Sequence, residues 1–198
     1  MSGICPIHRQ HMDRPPASLD QSITSNSGAQ GALLSAFARL ALSRRYREFG
    51  VDAIARAANV ARSTFYYHFA GKDDLLLHNL RPLISELAEM PFTARDSDEL
   101  RYWVAHIWEH RRFSSRLLDG DTGRKIEAAT FRGLNEMLAT RQPSAKHNAL
   151  LAAQISGASV ALLKAWTSNR VTATPSDIAH TLWSSAVSVR NSPPCGLK

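Results

Sequence analysis

The sequence predicts an all-α protein of about nine helices, because apolar residues recur at three- and four-residue spacing from residue 31 onward. No segment shows the alternation of apolar and polar residues that is typical of a half-buried strand. Pro175 opens the last periodic segment, at a place where proline suits the first turn of a helix. These observations favour helices packed against helices.

The composition is that of a globular protein and disfavours secreted and membrane proteins. The 198 residues are 44% hydrophobic and 21% charged, which is typical of a globular protein, and the net charge of +7 makes an acidic partner plausible. The N-terminus has no signal-peptide pattern, and no apolar run approaches the roughly 20 residues that cross a bilayer. We therefore expect a cytoplasmic protein. Cys5 and Cys195 stand near opposite ends and form no disulfide framework.

The chain divides into four parts by composition. Residues 1–30 are rich in Ser, Pro, Gln, Asn and Gly and predict a disordered tail. Residues 31–80 predict a compact helical head, residues 81–190 a larger helical body, and residues 191–198 a short tail. Cys5, His8 and His11 could ligate zinc, but a closed structural site needs four ligands on a folded frame, so we predict no metal site there.

The head contains four predicted helices. The first runs from residue 31 to about 45, the second covers 51–58, the third covers 62–69, and a fourth begins near Lys72. Asn59 ends the second helix, since asparagine tolerates the left-handed backbone. Asp73 and Asp74 suit the positive end of the fourth helix.

The third helix has an unusual outward face. At about 100° per residue, Phe65, Phe69 and Ala61 share one buried stripe. Ser63 and Tyr67 point about 160° away from Phe65, whereas Thr64 and Tyr66 lie about 100° to either side. Exposed tyrosines flanked by hydroxyls add little to folding. They suit a surface that donates hydrogen bonds to phosphates and packs against bases.

The segment before this helix supports binding to DNA. Ala55, Asn59, Val60 and Phe65 have the spacing of a helix-turn-helix, in which a small residue, a turn residue and two apolar residues fix the crossing. The second helix of such a unit enters the major groove. Lys72, at the start of the fourth helix, is predicted to reach a neighbouring phosphate.

The run "VDAIARAANVARSTFYYHFAGKDDLL" resembles the DNA-binding segment of TetR-family transcriptional regulators, and the resemblance covers residues 31–80 well. "GASVALLKAWTSNRVTATPSDIAHTLW" is more loosely similar to the end of the family's C-terminal domain. Asn59 stands where the family usually has glycine, and "REFGVDAI" lacks the usual threonine-rich start of the second helix, which leaves a helix-capping hydroxyl in doubt. The resemblance implies DNA contact by Arg62, Ser63, Thr64, Tyr66, Tyr67, His68 and Lys72.

The resemblance also implies a three-helix DNA-binding head, an effector domain and a homodimer built on the last two long helices. Most members are repressors that release DNA when a small molecule binds. One alternative is an architectural or interaction protein that binds DNA without a ligand switch. A second is a helical carrier or enzyme whose head is vestigial; no nucleophile–base pair or phosphate loop supports an enzyme, and we predict no cofactor.

The penultimate helix, predicted over residues 146–168, is apolar on two sides. One stripe consists of large residues, Leu151, Ile155, Leu162 and Trp166, and the other of small residues, Ala153, Gly157, Ala161 and Ala165. The small stripe permits a second helix to approach closely, and we predict that one side of the helix faces its own domain and the other a partner subunit; the alternative is a helix internal to a monomer. With the last helix, about 175–190, it would form the dimer interface.

Aromatic and histidine side chains of the body are candidates for a ligand cavity, although a tryptophan stripe at helical spacing more often packs a core. The candidates are Trp103, His106, Trp108, His110, Phe113, Phe131 and Trp166.

Overall fold

A computed structural model describes residues 28–142 and 145–192; the tails predicted at 1–30 and 191–198 lie almost entirely outside the described residues, as do Cys5, His8 and His11. Within the described residues there are ten α-helices, two short 3-10 turns and no strand. The helices are α1 (Ala29–Ser43), α2 (Val51–Ala57), α3 (Arg62–His68), α4 (Lys72–Asn79), α5 (Arg81–Glu89), α6 (Asp98–Glu109), α7 (Arg111–Leu117), α8 (Gly120–Arg141), α9 (Ala145–Thr167) and α10 (Pro175–Asn191). The 3-10 turns are Tyr46–Glu48 and Met90–Phe92.

The all-α prediction is confirmed, with one helix more than expected. The break between α6 and α7 falls at His110, which both ends one helix and precedes the next. The break between α4 and α5 falls at Leu80, and Pro82 stands in the first turn of α5, where the missing N–H of proline costs no bond within the helix. The boundaries of α1, α2, α3, α9 and α10 lie within two residues of the predicted ones.

The head is held by α1, which packs against α2, α3 and α4. Phe37 of α1 meets Tyr46 and Phe49 edge-on, with ring centroids 6.3 and 5.9 Å away. Edge-to-face aromatic pairs of this kind add to the free energy gained by burial. Ile54 of α2 and Phe65 of α3 are fully buried beneath them.

The body is a layered bundle in which α8 packs against α5 and α9, and α10 packs against α6 and α9. Thr174 caps α10 by accepting a hydrogen bond from the backbone N–H of Asp177, and the Asp177 carboxylate accepts one from the N–H of Thr174. α6 begins in a similar way, since the hydroxyl of Ser97 accepts from the N–H of Leu100.

One segment within α9, His147–Thr167, is long and apolar enough to cross a bilayer by length and composition alone. This corrects the expectation that no apolar run approaches that length. In the fold, this segment is a core helix: Leu151, Ile155, Leu163 and Trp166 are buried against the rest of the body. Packing in the core therefore accounts for the apolar character of this side of α9.

Candidate nucleic-acid interface

The orientation of α3 is set by two phenylalanines. Phe65 is fully buried and Phe69 is 3% exposed, and their ring centroids lie 5.9 Å apart. Ala61, predicted in the same stripe, is exposed instead. It has extended backbone (φ −68°, ψ 151°) as the residue before α3, so the 100° helical rotation does not apply to it.

The turn before α3 has the geometry of a helix-turn-helix. Asn59 takes a left-handed backbone with φ 56°, which asparagine tolerates better than most residues. The N–H of Val60 then donates to the carbonyl of Ala55 at 3.0 Å, closing the end of α2. Ala55 is buried at the crossing, where a larger side chain would separate the two helices.

The N-terminus of α2 lacks a side-chain cap. Gly50 precedes the helix and makes no side-chain hydrogen bond to it, so the first N–H groups of α2 have no capping hydroxyl. This is the consequence expected from the "REFGVDAI" segment.

The outward face of α3 carries the hydroxyl-bearing side chains. Tyr67 is 84% exposed, the largest fraction among the exposed large hydrophobic residues of the described chain, and Tyr66 is 48% exposed. Ser63 is also exposed, and Thr64 is half-buried at the edge of the face. Because no described residue covers Tyr67, its ring and hydroxyl are available to a ligand as large as a DNA duplex.

Arg62 is held at the N-terminus of α3 by two partners. Its guanidinium lies 2.9 Å from the Asp52 carboxylate of α2, and it donates to the hydroxyl of Tyr66 at 3.3 Å. The hydrogen bond to Tyr66 and the charge of Asp52 raise the pKa of Arg62. Both ion-pair partners are more than 60% exposed, so the pair orients Arg62 more than it stabilises the fold.

His68 lies at the inner edge of the face. It is half-buried, with its ring centroid 5.0 Å from that of Tyr67 and 6.4 Å from that of Phe69. This position between the exposed tyrosine and the core agrees with its rotation of about 60° from Phe65.

Lys72 is bound by the head itself, at the start of α4. Its ammonium donates to the backbone carbonyls of Tyr46 and Phe49, at 2.6 and 2.8 Å, and lies 4.1 Å from the centroid of the Tyr46 ring. Burial lowers the pKa of Lys72 despite the opposing charge of Asp73. The chain between α1 and α2 thus occupies two of the three N–H donors of this ammonium.

Comparison with known proteins agrees with this geometry. Residues 33–78 match the profile described as bacterial regulatory proteins of the tetR family. The HTH-type transcriptional regulator EthR of Mycolicibacterium smegmatis is 32% identical over 71 residues, which are 36% of this chain. The match spans about a third (33%) of the length of that relative. Over these residues the chain is similar to regulators of the tetR family.

Two solved structures extend the likeness of fold to the body. A TetR transcriptional regulator from Rhodococcus sp. RHA1 has a TM-score of 0.55 at 13% identity and covers 86% of this chain and 98% of its own. The TetR family repressor AlkX from Dietzia sp. strain DQ12-45-1b, implicated in biodegradation of n-alkanes, has a TM-score of 0.55 at 16% identity. It covers 83% of this chain and 96% of its own. At these identities the likeness concerns the fold alone.

In the body, the seven predicted ligand residues are buried or half-buried. Trp108 of α6 stacks on Trp166 of α9 with ring centroids 4.6 Å apart, and Trp166 is fully buried. Trp103 is buried, and His106, His110, Phe113 and Phe131 are half-buried. None of the seven lines either of two described cavities.

The larger of those cavities is a cleft of about 390 Å³ between α7 and the end of α9. Its basic lining consists of Arg111, Arg112 and Arg116, and the guanidinium of Arg111 lies 5.1 Å from the Trp108 ring centroid. None of the three arginines forms an ion pair with a described residue. An anion is the ligand class that such a cleft favours. The sequence analysis missed this site because its two sides come from distant segments.

A second group that the sequence analysis missed lies beside it. His106, Glu109 and His110 bring one potential metal-ligand atom each to within 4.8 Å of one another. The spacing His-x-x-Glu-His was the available signal, and it places both histidines on one face of a helix. Sequence analysis treated the histidines only as lining for an organic ligand and predicted no metal site.

Proposed function

We propose that the chain is a sequence-specific DNA-binding transcriptional regulator, a homodimeric repressor that a small-molecule effector releases from its operator. The observation that carries the proposal is the face of α3, on which Tyr67 is 84% exposed while Phe65 and Phe69 anchor the opposite side. A short helix fixed in this way projects hydroxyls and rings beyond the head, as a recognition helix must in order to reach base edges.

The proposed DNA contacts are graded by accessibility. Ser63, Tyr66 and Tyr67 face solvent, and Arg62 is pre-oriented by Asp52 and Tyr66. Thr64 and His68 flank this face as half-buried residues. Two of the three N–H donors of Lys72 are used by the carbonyls of Tyr46 and Phe49, so we assign it first to holding the head together and propose that the third donor contacts a phosphate.

Dimerisation through α9 and α10 is supported by an uncovered apolar surface. On α9, Ala153 and Ala161 are exposed and Leu150 is 60% exposed. The opposite side of this helix is buried in the core. Small residues allow close approach of a partner helix, and a two-fold interface would cover this surface in both subunits.

The effector is proposed to be an anionic small molecule bound in the α7–α9 cleft. Three unpaired guanidiniums support the charge of the ligand, and about 390 Å³ is in the usual range for a small-molecule site. Because α7 also contacts the 3-10 turn Tyr46–Glu48 of the head, a ligand there could shift the population of head orientations. We place the protein in the cytoplasm, where operator DNA lies.

The deciding experiment is selection of bound sequences from a random DNA pool. We expect a near-palindrome whose half-sites are separated by about one helical turn or a small multiple, roughly 34–36 Å per turn. Binding should weaken steeply with salt, because phosphate contacts release counterions. A chain that enriches no sequence and shows no salt-dependent binding would refute the proposal. Retention of DNA across a library of anionic effectors would instead favour a DNA-binding protein without a ligand switch.

A further inference from the structure

Three metal-ligand side chains converge at the end of α6. His106 and His110 are one helical turn apart, and the N–H of His110 donates to the carbonyl of His106 at 3.2 Å, which keeps that turn helical. Their ring centroids are 4.7 Å apart, and all three ligand atoms, including a carboxylate oxygen of Glu109, lie within 4.8 Å of one another. Two imidazoles and a carboxylate are the donor set that Zn²⁺ and similar ions prefer.

The three side chains form no hydrogen bond or ion pair with the rest of the described residues. Neither histidine ring forms a hydrogen bond or ion pair with another described side chain, and Glu109 forms no ion pair in the same part of the chain. Two adjacent imidazoles gain nothing from each other when protonated, and an exposed glutamate beside them is not needed for packing. A cation shared by all three would use the lone pairs that the fold brings together.

Neighbouring aromatic rings hold His106 in place. The Tyr102 ring lies almost parallel to it, with centroids 6.2 Å apart and an interplanar angle of 11°, and Trp103 meets it edge-on at 5.9 Å. The indole N–H of Trp103 is itself buried without a hydrogen-bond partner in the described residues. A ring fixed from two sides loses little freedom when it binds, which is the usual function of groups that surround a metal ligand.

Glu109 is exposed, so one side of the cluster is open to solvent. A water molecule can therefore reach an ion held by the three side chains.

We propose that His106, Glu109 and His110 bind one divalent transition-metal ion of the Zn²⁺ class, with solvent completing the coordination. The site lies at the junction of two helices, since His110 ends α6 and precedes α7. An ion bound there fixes the angle between these helices. Because α7 contacts the 3-10 turn of the head, the ion would also change operator affinity; this consequence rests on the proposed function.

The test is calorimetric titration of the full chain with Zn²⁺ alone, with Co²⁺ absorption as a second probe of nitrogen and oxygen ligation. We expect one ion per chain. His106→Gln and His110→Gln should each weaken binding by at least about tenfold, and Glu109→Gln should weaken it less. His180→Gln, which changes an exposed histidine on α10, is the matched control and should bind like the wild type. Circular dichroism establishes that each variant is folded.

The N-terminal residues Cys5, His8 and His11 provide an internal competitor, so the triple variant Cys5→Ser, His8→Gln, His11→Gln is titrated in parallel. The site is supported if this variant retains the binding that His110→Gln loses. It is overturned if the triple variant loses all binding, or if folded His106→Gln and His110→Gln both bind Zn²⁺ as tightly as the wild type.

Operator affinity measured with and without Zn²⁺ separates the two proposals. A chain that binds Zn²⁺ at these residues but no DNA retains the metal site and refutes the regulator. A chain that binds its operator but no Zn²⁺ retains the regulator and refutes the metal site.

Discussion

The ammonium of Lys125 in α8 lies 2.7 Å from the carboxylate of Asp73 in α4, so that an ion pair joins the body to the head. The same carboxylate accepts a hydrogen bond from the hydroxyl of Tyr46, on the 3-10 turn. Burial and this bond to Asp73 raise the pKa of Tyr46, which keeps the phenol protonated as the donor. One acidic side chain therefore ties together the body, α4 and the segment between α1 and α2.

Asp73→Asn should destabilise the chain at neutral pH and remove part of its acid sensitivity. Burial alone would raise the pKa of Asp73, but hydrogen bonds from Lys125 and Tyr46 outweigh it and lower the pKa. The stabilisation is therefore present above the ordinary aspartate pKa, near about 3.9, and is lost as pH falls through the lower folded value. In Asp73→Asn the hydrogen bond from Tyr46 goes to an uncharged acceptor, which should lower the free energy of unfolding by about 1 kcal/mol.

Urea unfolding of wild type and Asp73→Asn, from about pH 7 downward to about pH 3, measures this difference. The two stability curves should converge at the acid end. Lys125→Gln, which removes the interdomain charge but leaves the Tyr46 hydrogen bond, should lie between them. Parallel curves for wild type and Asp73→Asn would contradict the assignment.

Tyr67→Ala should weaken operator binding without unfolding the protein. The side chain is 84% exposed, so its loss should change stability by no more than about 0.5 kcal/mol. Loss of a contact in the groove should cost about 1–3 kcal/mol of binding free energy. Fluorescence anisotropy with a labelled operator measures the affinity, and Tyr67→Phe separates the hydroxyl from the ring. Val171→Ala, at an exposed position on the body, is the control; equal affinities for all variants would exclude α3 as the reading helix.

Ala161→Arg should convert the proposed dimer to a monomer. Ala161 is exposed in the protomer, so the arginine is accommodated within one chain but would insert a charge between two copies of α9. Analytical ultracentrifugation should show at least a tenfold weaker dimer, since one decade corresponds to about 1.4 kcal/mol. Ala139→Arg, on the exposed side of α8, should leave the dimer intact. A dimeric Ala161→Arg would place the interface elsewhere.

Gly123→Ala and Gly133→Ala should have opposite effects, although both glycines lie in α8. A Cβ at residue 123 would lie 2.1 Å from the carbonyl oxygen of Leu118, a backbone atom that cannot move aside alone. We expect a loss of about 2 kcal/mol or more. At residue 133 the nearest atom is a methyl of Ile84 at 3.4 Å, and alanine should stabilise the helix by up to about 1 kcal/mol. Thermal unfolding compares the two; similar melting temperatures would contradict the packing described around Leu118.

The sequence predicted those features that depend on residues close together along the chain. Helical spacing located α9 and α10, and the helical rotation placed Phe65 inward and Tyr67 outward. The prediction that Ala61 is buried was wrong, because Ala61 precedes α3 and the helical rotation does not apply to it.

Features that combine distant segments could not be predicted in this way. The two carbonyls that hold Lys72 come from residues more than twenty positions earlier, and the arginine cleft needs α7 and the end of α9 side by side. Trp108 and Trp166 were predicted to line a ligand cavity, and their stacking across α6 and α9 likewise depends on two segments that are far apart in the sequence.

The stacked indoles of Trp108 and Trp166 make the intrinsic tryptophan signal of this protein sensitive to its conformation. Two chromophores at a centroid separation of 4.6 Å, one on α6 and one on α9, couple electronically in a manner that depends steeply on their mutual angle. Arg111, which lines the cleft, contacts the Trp108 ring, and His110 lies two residues after Trp108 in the chain. Near-ultraviolet dichroism and emission of the unlabelled chain would thus register a rotation of either helix in real time, with no dye attached.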